Sequence, residues 1–165
     1  MGALSQVSAA FIPHADLRAL LRRAPAIADS LWRETLIDGA VFREWMVGMG
    51  RRSAYARLAH LFCELATKID QTGGRRGDRY PFPLTQSEVG DALGLSTVHV
   101  NRMLQLLRKA GAIQVRAGEF KVLDWDVLAA AGEFNPVYLH LGPTRATNRA
   151  QNTTAPLGAR STGLR

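Results

Sequence analysis

The sequence predicts a mainly α-helical fold in which a long helix leads into a helix-turn-helix pair closed by a small β-hairpin. Three observations carry this. Between Ala26 and Met49, the side chains Leu31, Thr35, Asp38, Phe42, Trp45 and Met49 recur at alternating steps of four and three, the heptad spacing that lays them along one stripe of a helix. Residues 85–104, TQSEVGDALGLSTVHVNRML, hold two short helical patterns separated by Gly94, Leu95 and Ser96. Residues 112–116 and 120–124, AIQVR and FKVLD, are strand-like runs joined by Ala117, Gly118 and Glu119, which read as a hairpin.

In chain order, SQVSAAFIP (5–13) is a short apolar run with strand character. A short helix follows, with Leu17, Leu20 and Leu21 on one side, and it ends before Pro25 because the residue preceding a proline is pushed out of the helical region. The long helix comes next. Thr35 and Asp38 make its stripe partly polar, and Gly48 and Gly50 weaken its end, so a bend is expected there. A further helix over 53–69 sets Leu58, Leu61, Phe62, Leu65 and Ile69 on one face. QTGGRRGDRYPFP (71–83) is punctuated by glycine and proline and reads as a connector, whose three arginines suit phosphate or plain solvent equally.

Local chemistry writes the helix pair in detail. Thr85 and Glu88 have the spacing of a capping box, which starts a helix at Gln86. Val89 and Leu93 give that helix an inner face, and Gly90 leaves room where a second helix approaches closely. Gly94 stops it, since glycine enters a left-handed turn without steric penalty, and Leu95 plugs the turn. Ser96 caps the second helix, whose Val100, Met103, Leu104 and Leu107 face inward. Arg108 and Lys109 suit the negative end of its dipole, with Gly111 as its C-cap. DWDVLAAAGEF (124–134) reads as a closing helix.

Thr97, Val98, Asn101 and Arg102 are left pointing outward from the first turns of the second helix, the position from which this motif reads base edges in the major groove. Arg102 can donate twice to guanine, Asn101 can pair with adenine, and Val98 can pack on a thymine methyl. Ser96 and His99 are placed for phosphate. Between Thr97 and Val122 there are five Lys or Arg against one acid, a local excess of +4.

Composition sets the limits on function. A formal charge of +7 favours an anionic partner, nucleic acid or a membrane surface, although solubility alone accounts for it equally well. With 47% hydrophobic residues the chain can build a core. Cys63 is the only cysteine and reads as a small buried hydrophobe, offering neither an internal disulfide nor a metal cluster. His14, His60 and His140 lack partners at metal-ligand spacing. No apolar run approaches the roughly 20 residues of a membrane span, and no signal peptide is recognisable, so a cytoplasmic protein without membrane attachment is expected. There is no P-loop, nucleophile elbow or metal motif, so neither an enzyme nor a cofactor is expected.

Residues 83–113, PLTQSEVGDALGLSTVHVNRMLQLLRKAGAI, with the hairpin after them, resemble the winged-helix DNA-binding domain of Crp/Fnr-type bacterial transcription regulators. Upstream, IPHADLRALLRRAPAIADSLWRE and RRSAYARLAHLFCELA resemble the end of the family's sensor domain, its dimerisation helix and the first helix of its DNA-binding domain. The resemblance implies three regions: a sensor remnant of strand plus short helix (1–24), a dimerisation helix (25–50) and a winged helix-turn-helix domain (51–134); the basic tail (135–165), with little to bury, is expected from its composition to be disordered. It places base readers at Thr97, Val98, Asn101 and Arg102, and phosphate contacts at Thr85, Ser87, Ser96, His99, Arg116 and Lys121. Many members carry Glu where this chain has Val98, so the family's usual target sites are not carried over. The stripe Leu31, Thr35, Asp38, Phe42, Trp45 and Met49 becomes a parallel homodimer interface that sets two recognition helices on a near-palindrome. RNA polymerase is implied as a further candidate partner. The family's cyclic-nucleotide cassette and iron–sulfur cysteines are absent from this sequence, so no sensed ligand is implied. A second reading is a sensor-less protein that forms mixed dimers with longer relatives.

Overall fold

The computed structural model describes residues 6–116 and 118–141. The expectation of a disordered tail therefore lies, for 142–165, outside the described residues. Helices α1 (His14–Arg23), α2 (Pro25–Arg51) and α3 (Ala54–Thr72) lead to a short strand β1 (Tyr80–Pro81). The pair α4 (Gln86–Leu93) and α5 (Thr97–Lys109) follows, then β2 (Ile113–Arg116), β3 (Glu119–Val122), α6 (Trp125–Ala131) and a 3-10 turn at Pro136–Leu139. The sheet is antiparallel in the order β1-β3-β2.

The core is built from α3 onward, between Leu58 and Leu128. α3 packs against α5 and α6, burying Leu58, Phe62, Cys63 and Ala66 completely. Tyr80 from β1 stacks on Phe120 of β3, with ring centroids 4.9 Å apart, and Phe120 meets Phe62 edge-on. These large apolar faces tie the sheet to α3 and add to the drive to fold. Cys63 is one of the core's small hydrophobes, and burial pushes its thiol pKa up to about 12.

Four expectations are corrected. Residues 6–13 carry no strand; a strand needs a paired neighbour, and the sheet is built from residues 80–81 and 113–122. α2 continues through Gly48 and Gly50 without a break. The chain turns instead at Arg52, whose backbone is extended, and Ser53 then caps α3 by accepting from the Ala56 N–H. The connector 71–83 contains β1, paired in register Tyr80 with Phe120 and Pro81 with Glu119. Residues 135–141 belong to the folded body: Asn135 caps the 3-10 turn and Leu139 is buried.

Candidate nucleic-acid interface

The helix pair is built as its local chemistry dictates. The Thr85 hydroxyl accepts from the Glu88 N–H at 3.2 Å, and the Glu88 carboxylate accepts from the Thr85 N–H at 2.7 Å and from its hydroxyl at 2.8 Å. These bonds hold Glu88 below the usual carboxylate range. Gly94 takes a left-handed φ of +63°, and its N–H and that of Leu95 both donate to the Gly90 carbonyl. Gly90 lets Val100 of α5 approach, 3.7 Å from where a Cβ would stand, but the tighter constraint is the turn. A Cβ there would lie 2.5 Å from the carbonyl oxygen of Leu95, so the turn itself requires the missing side chain. Ser96 caps α5 through the His99 N–H, and its hydroxyl also meets His99 Nδ1 at 3.1 Å. Ala110 is the C-cap of α5, with Gly111 following at φ +70°.

α5 thus has two distinct faces. Val100, Leu104 and Leu107 are buried, whereas Thr97, Val98, Asn101 and Arg102 are exposed on the opposite side, Val98 to 79%. Gln105, one turn beyond Asn101, donates to its side-chain oxygen at 3.1 Å and so holds the Asn101 amide in place. That i,i+4 spacing was readable in the sequence and was missed. Arg108 donates to the Val115 carbonyl at 3.3 Å and thereby pins β2 to α5.

The candidate phosphate residues divide into two groups. Ser87 and Arg116 are exposed at the start of α4 and the end of β2, and His99 is exposed beside Ser96. The hydroxyls of Thr85 and Ser96 are engaged in their caps. Lys121 is ion-paired with Asp78, whose carboxyl pKa is lowered by that contact. Arg79 lies 4.0 Å from both Asp78 and Glu119. One wing cation, Lys121, is therefore neutralised by the connector's Asp78, whereas Arg79 of the connector pairs with the wing's acid Glu119; these contacts, about 40 residues apart in sequence, are signalled by no local pattern.

α2 carries the other expected surface. Leu31, Thr35, Asp38, Phe42 and Met49 of the heptad stripe are exposed. Trp45 is committed to its own domain instead: it packs against the core and donates from Nε1 to Glu64 at 3.0 Å. Asp38 borders the cleft between α2, Lys68 and Gln71 of α3, and Leu139. The apolar face left outward includes Trp32 (68% exposed), Phe42 (66%) and Met46 (59%). Trp32, Thr35, Gly39, Phe42, Met46 and Met49 repeat at steps of three and four, a heptad rotated by about one residue from the one expected. No helix among the described residues is long and apolar enough to cross a membrane.

Comparison with known proteins adds the following. Residues 56–131 match the family model of a Crp-like helix-turn-helix domain. A probable transcriptional activator of Rhizobium leguminosarum bv. viciae is 33% identical over 104 residues, which are 62% of this chain and 42% of that protein. Transcriptional activator protein FnrL of Cereibacter sphaeroides is 29% identical over 99 residues, 57% of this chain and 39% of that protein. The chain thus spans about two fifths of the length of these curated relatives. The fold is shared with FixK2 from Bradyrhizobium japonicum, at a TM-score of 0.59 and 24% identity over 69% of this chain and 58% of that one.

Proposed function

From the match of residues 56–131 to the Crp-like helix-turn-helix domain, we propose that the chain is a sequence-specific DNA-binding transcription regulator of the Crp/Fnr type. The observation that carries the reading is the two-faced α5. Its inner side chains are locked in the core while four side chains of base-reading chemistry stand exposed at its N-terminal end. Arg102 donates to guanine, Asn101, steadied by Gln105, presents its amide to adenine, and Val98 contacts a thymine methyl. Ser87, His99 and Arg116 hold the phosphates on either side. The protein acts as a homodimer joined along α2, so that two copies of α5 read half-sites about one DNA turn, roughly 34 Å, apart.

Selection of duplexes from a random pool at two salt concentrations tests this. A near-palindrome is expected. The Arg102→Ala variant should lose about 1–3 kcal/mol of binding and relax preference at one base position per half-site. An unchanged selected motif in that variant would remove Arg102 from the base-reading set, and recovery of salt-sensitive binding without sequence preference would defeat the reading as a whole.

A further inference from the structure

The joint between α2 and the winged-helix unit is a peptide step at Arg52 and Ser53, with extended backbone at both residues. The principal neighbours of α2 are α1 and the 3-10 turn at Pro136–Leu139. The angle between the long helix and the reading head is therefore held by the C-terminal segment 132–140, which fills the notch between α2 and α3.

Polar contacts converge at that notch. Glu64 of α3 is only 4% exposed, yet it accepts from Trp45 of α2 at 3.0 Å, from Lys68 of α3 at 2.8 Å and from the Tyr138 hydroxyl of the turn at 2.7 Å. Burial pushes the Glu64 carboxyl up, but the three donors outweigh it and hold the pKa below the ordinary value. His60 of α3 lies 3.0 Å from the same Tyr138 hydroxyl through Nε2, and 3.1 Å from the Gly132 carbonyl through Nδ1. Arg52, at the joint, pairs with Glu44 of α2 and lies 3.5 Å from the Glu133 carbonyl. The segment lies so close to α3 that a Cβ on Gly132 would fall 2.7 Å from the His60 backbone nitrogen. Glu133 and His140, at its two ends, hold left-handed φ values of +48° and +46°, a strained state that persists only where the surroundings fix it.

We infer that Tyr138 is a positioning residue for DNA reading: through Glu64 and Trp45 it locks α2 against the winged-helix unit and so sets the separation of the two recognition helices. The second half of this inference rests on the dimeric DNA-binding reading above; the first does not. Its hydroxyl is the only group of the segment that reaches both His60 and the Trp45 acceptor among the contacts described. A hydrogen bond to a buried charge is among the stronger polar contacts, so its loss loosens the joint without emptying the core.

The test uses the full chain with nitroxide labels at Asp29→Cys on α2 and Asp91→Cys on α4, both exposed; Cys63 is buried and stays unlabelled. Labelled protein is diluted with unlabelled chain so that only distances within one chain are read by pulsed electron resonance. The parent should give one narrow distance peak, and Tyr138→Phe a broad distribution with the helical signal of the winged-helix unit retained. Trp45→Phe, which cuts the same link from the α2 side, should broaden it likewise and serves if Tyr138→Phe fails to fold. Unchanged widths in a folded variant overturn the inference. On DNA, Tyr138→Phe should reduce the preference for the correct half-site spacing about tenfold while leaving single half-site affinity unaltered. A spacing preference equal to the parent's overturns the DNA part. Broadened distances in a protein that selects no DNA sequence would uphold the joint and defeat the function reading instead.

Discussion

α5 and α2 are both two-faced helices, but their faces are spent in opposite ways. α5 turns its apolar side into its own domain and leaves polar side chains to solvent. α2 leaves Trp32, Phe42 and Met46 outside and has only Gly48 fully buried. The first arrangement is complete within one chain and offers hydrogen-bond donors to an anionic partner. The second leaves a contiguous apolar face, the kind of surface that marks a protein contact. On the proposed reading, DNA recognition and assembly are thus separated along the chain, and each should break without the other.

The largest expected effect comes from the reading head. Gly90→Ala forces a Cβ against the Leu95 carbonyl, which is backbone and has no rotamer by which to escape. The turn must open or α4 must shift, so a loss of about 3 kcal/mol in folding stability is expected, with loss of specific DNA binding. Thermal and denaturant unfolding measure it. A fully stable Gly90→Ala protein would mean that the close approach at the turn relaxes freely.

The proposed assembly face gives the complementary break. Phe42→Glu with Met46→Glu puts like charges on the outward heptad and should weaken self-association about a hundredfold, an equilibrium read by sedimentation. Unfolding of the winged-helix core should be unaffected, since neither side chain enters it. Dimers persisting in this variant would show that the chain associates through another surface.

The same division explains what the sequence disclosed. The capping box, Gly94, Ser96 and the inward set of α5 are all local signals, written within a few residues of where they act, and each sits where its chemistry required. The face of α2 was harder. Heptad spacing marked a stripe but not which of its side chains turns inward; for Trp45 that was decided by Glu64, nineteen residues later, accepting its indole N–H. The pairing of β1 with β3 and the docking of Tyr138 on Glu64 and His60 join positions far apart in sequence. A two-residue strand and a single tyrosine carry no periodicity from which such partners can be read.

The smallest expected effect lies in the wing, and it tests how far local charge can be counted as charge available to DNA. Taken alone, Lys121 would neutralise one phosphate, and Lys121→Ala would flatten the salt slope by about one unit. Its ion pair with Asp78 changes that expectation. Lys121 already has a counter-charge, so its removal should flatten the slope by less than about one unit and should also leave the Asp78 carboxylate facing the DNA. Asp78→Asn should do the reverse, strengthening binding to all duplexes alike and steepening the slope, because Lys121 is then released to the phosphates. Titrations at several salt concentrations on specific and random duplexes separate these outcomes. If Lys121→Ala removes a full unit and Asp78→Asn does nothing, the DNA backbone outcompetes Asp78 for the ammonium. The wing would then present its full basic charge on binding, and the ion pair would belong to the free protein only.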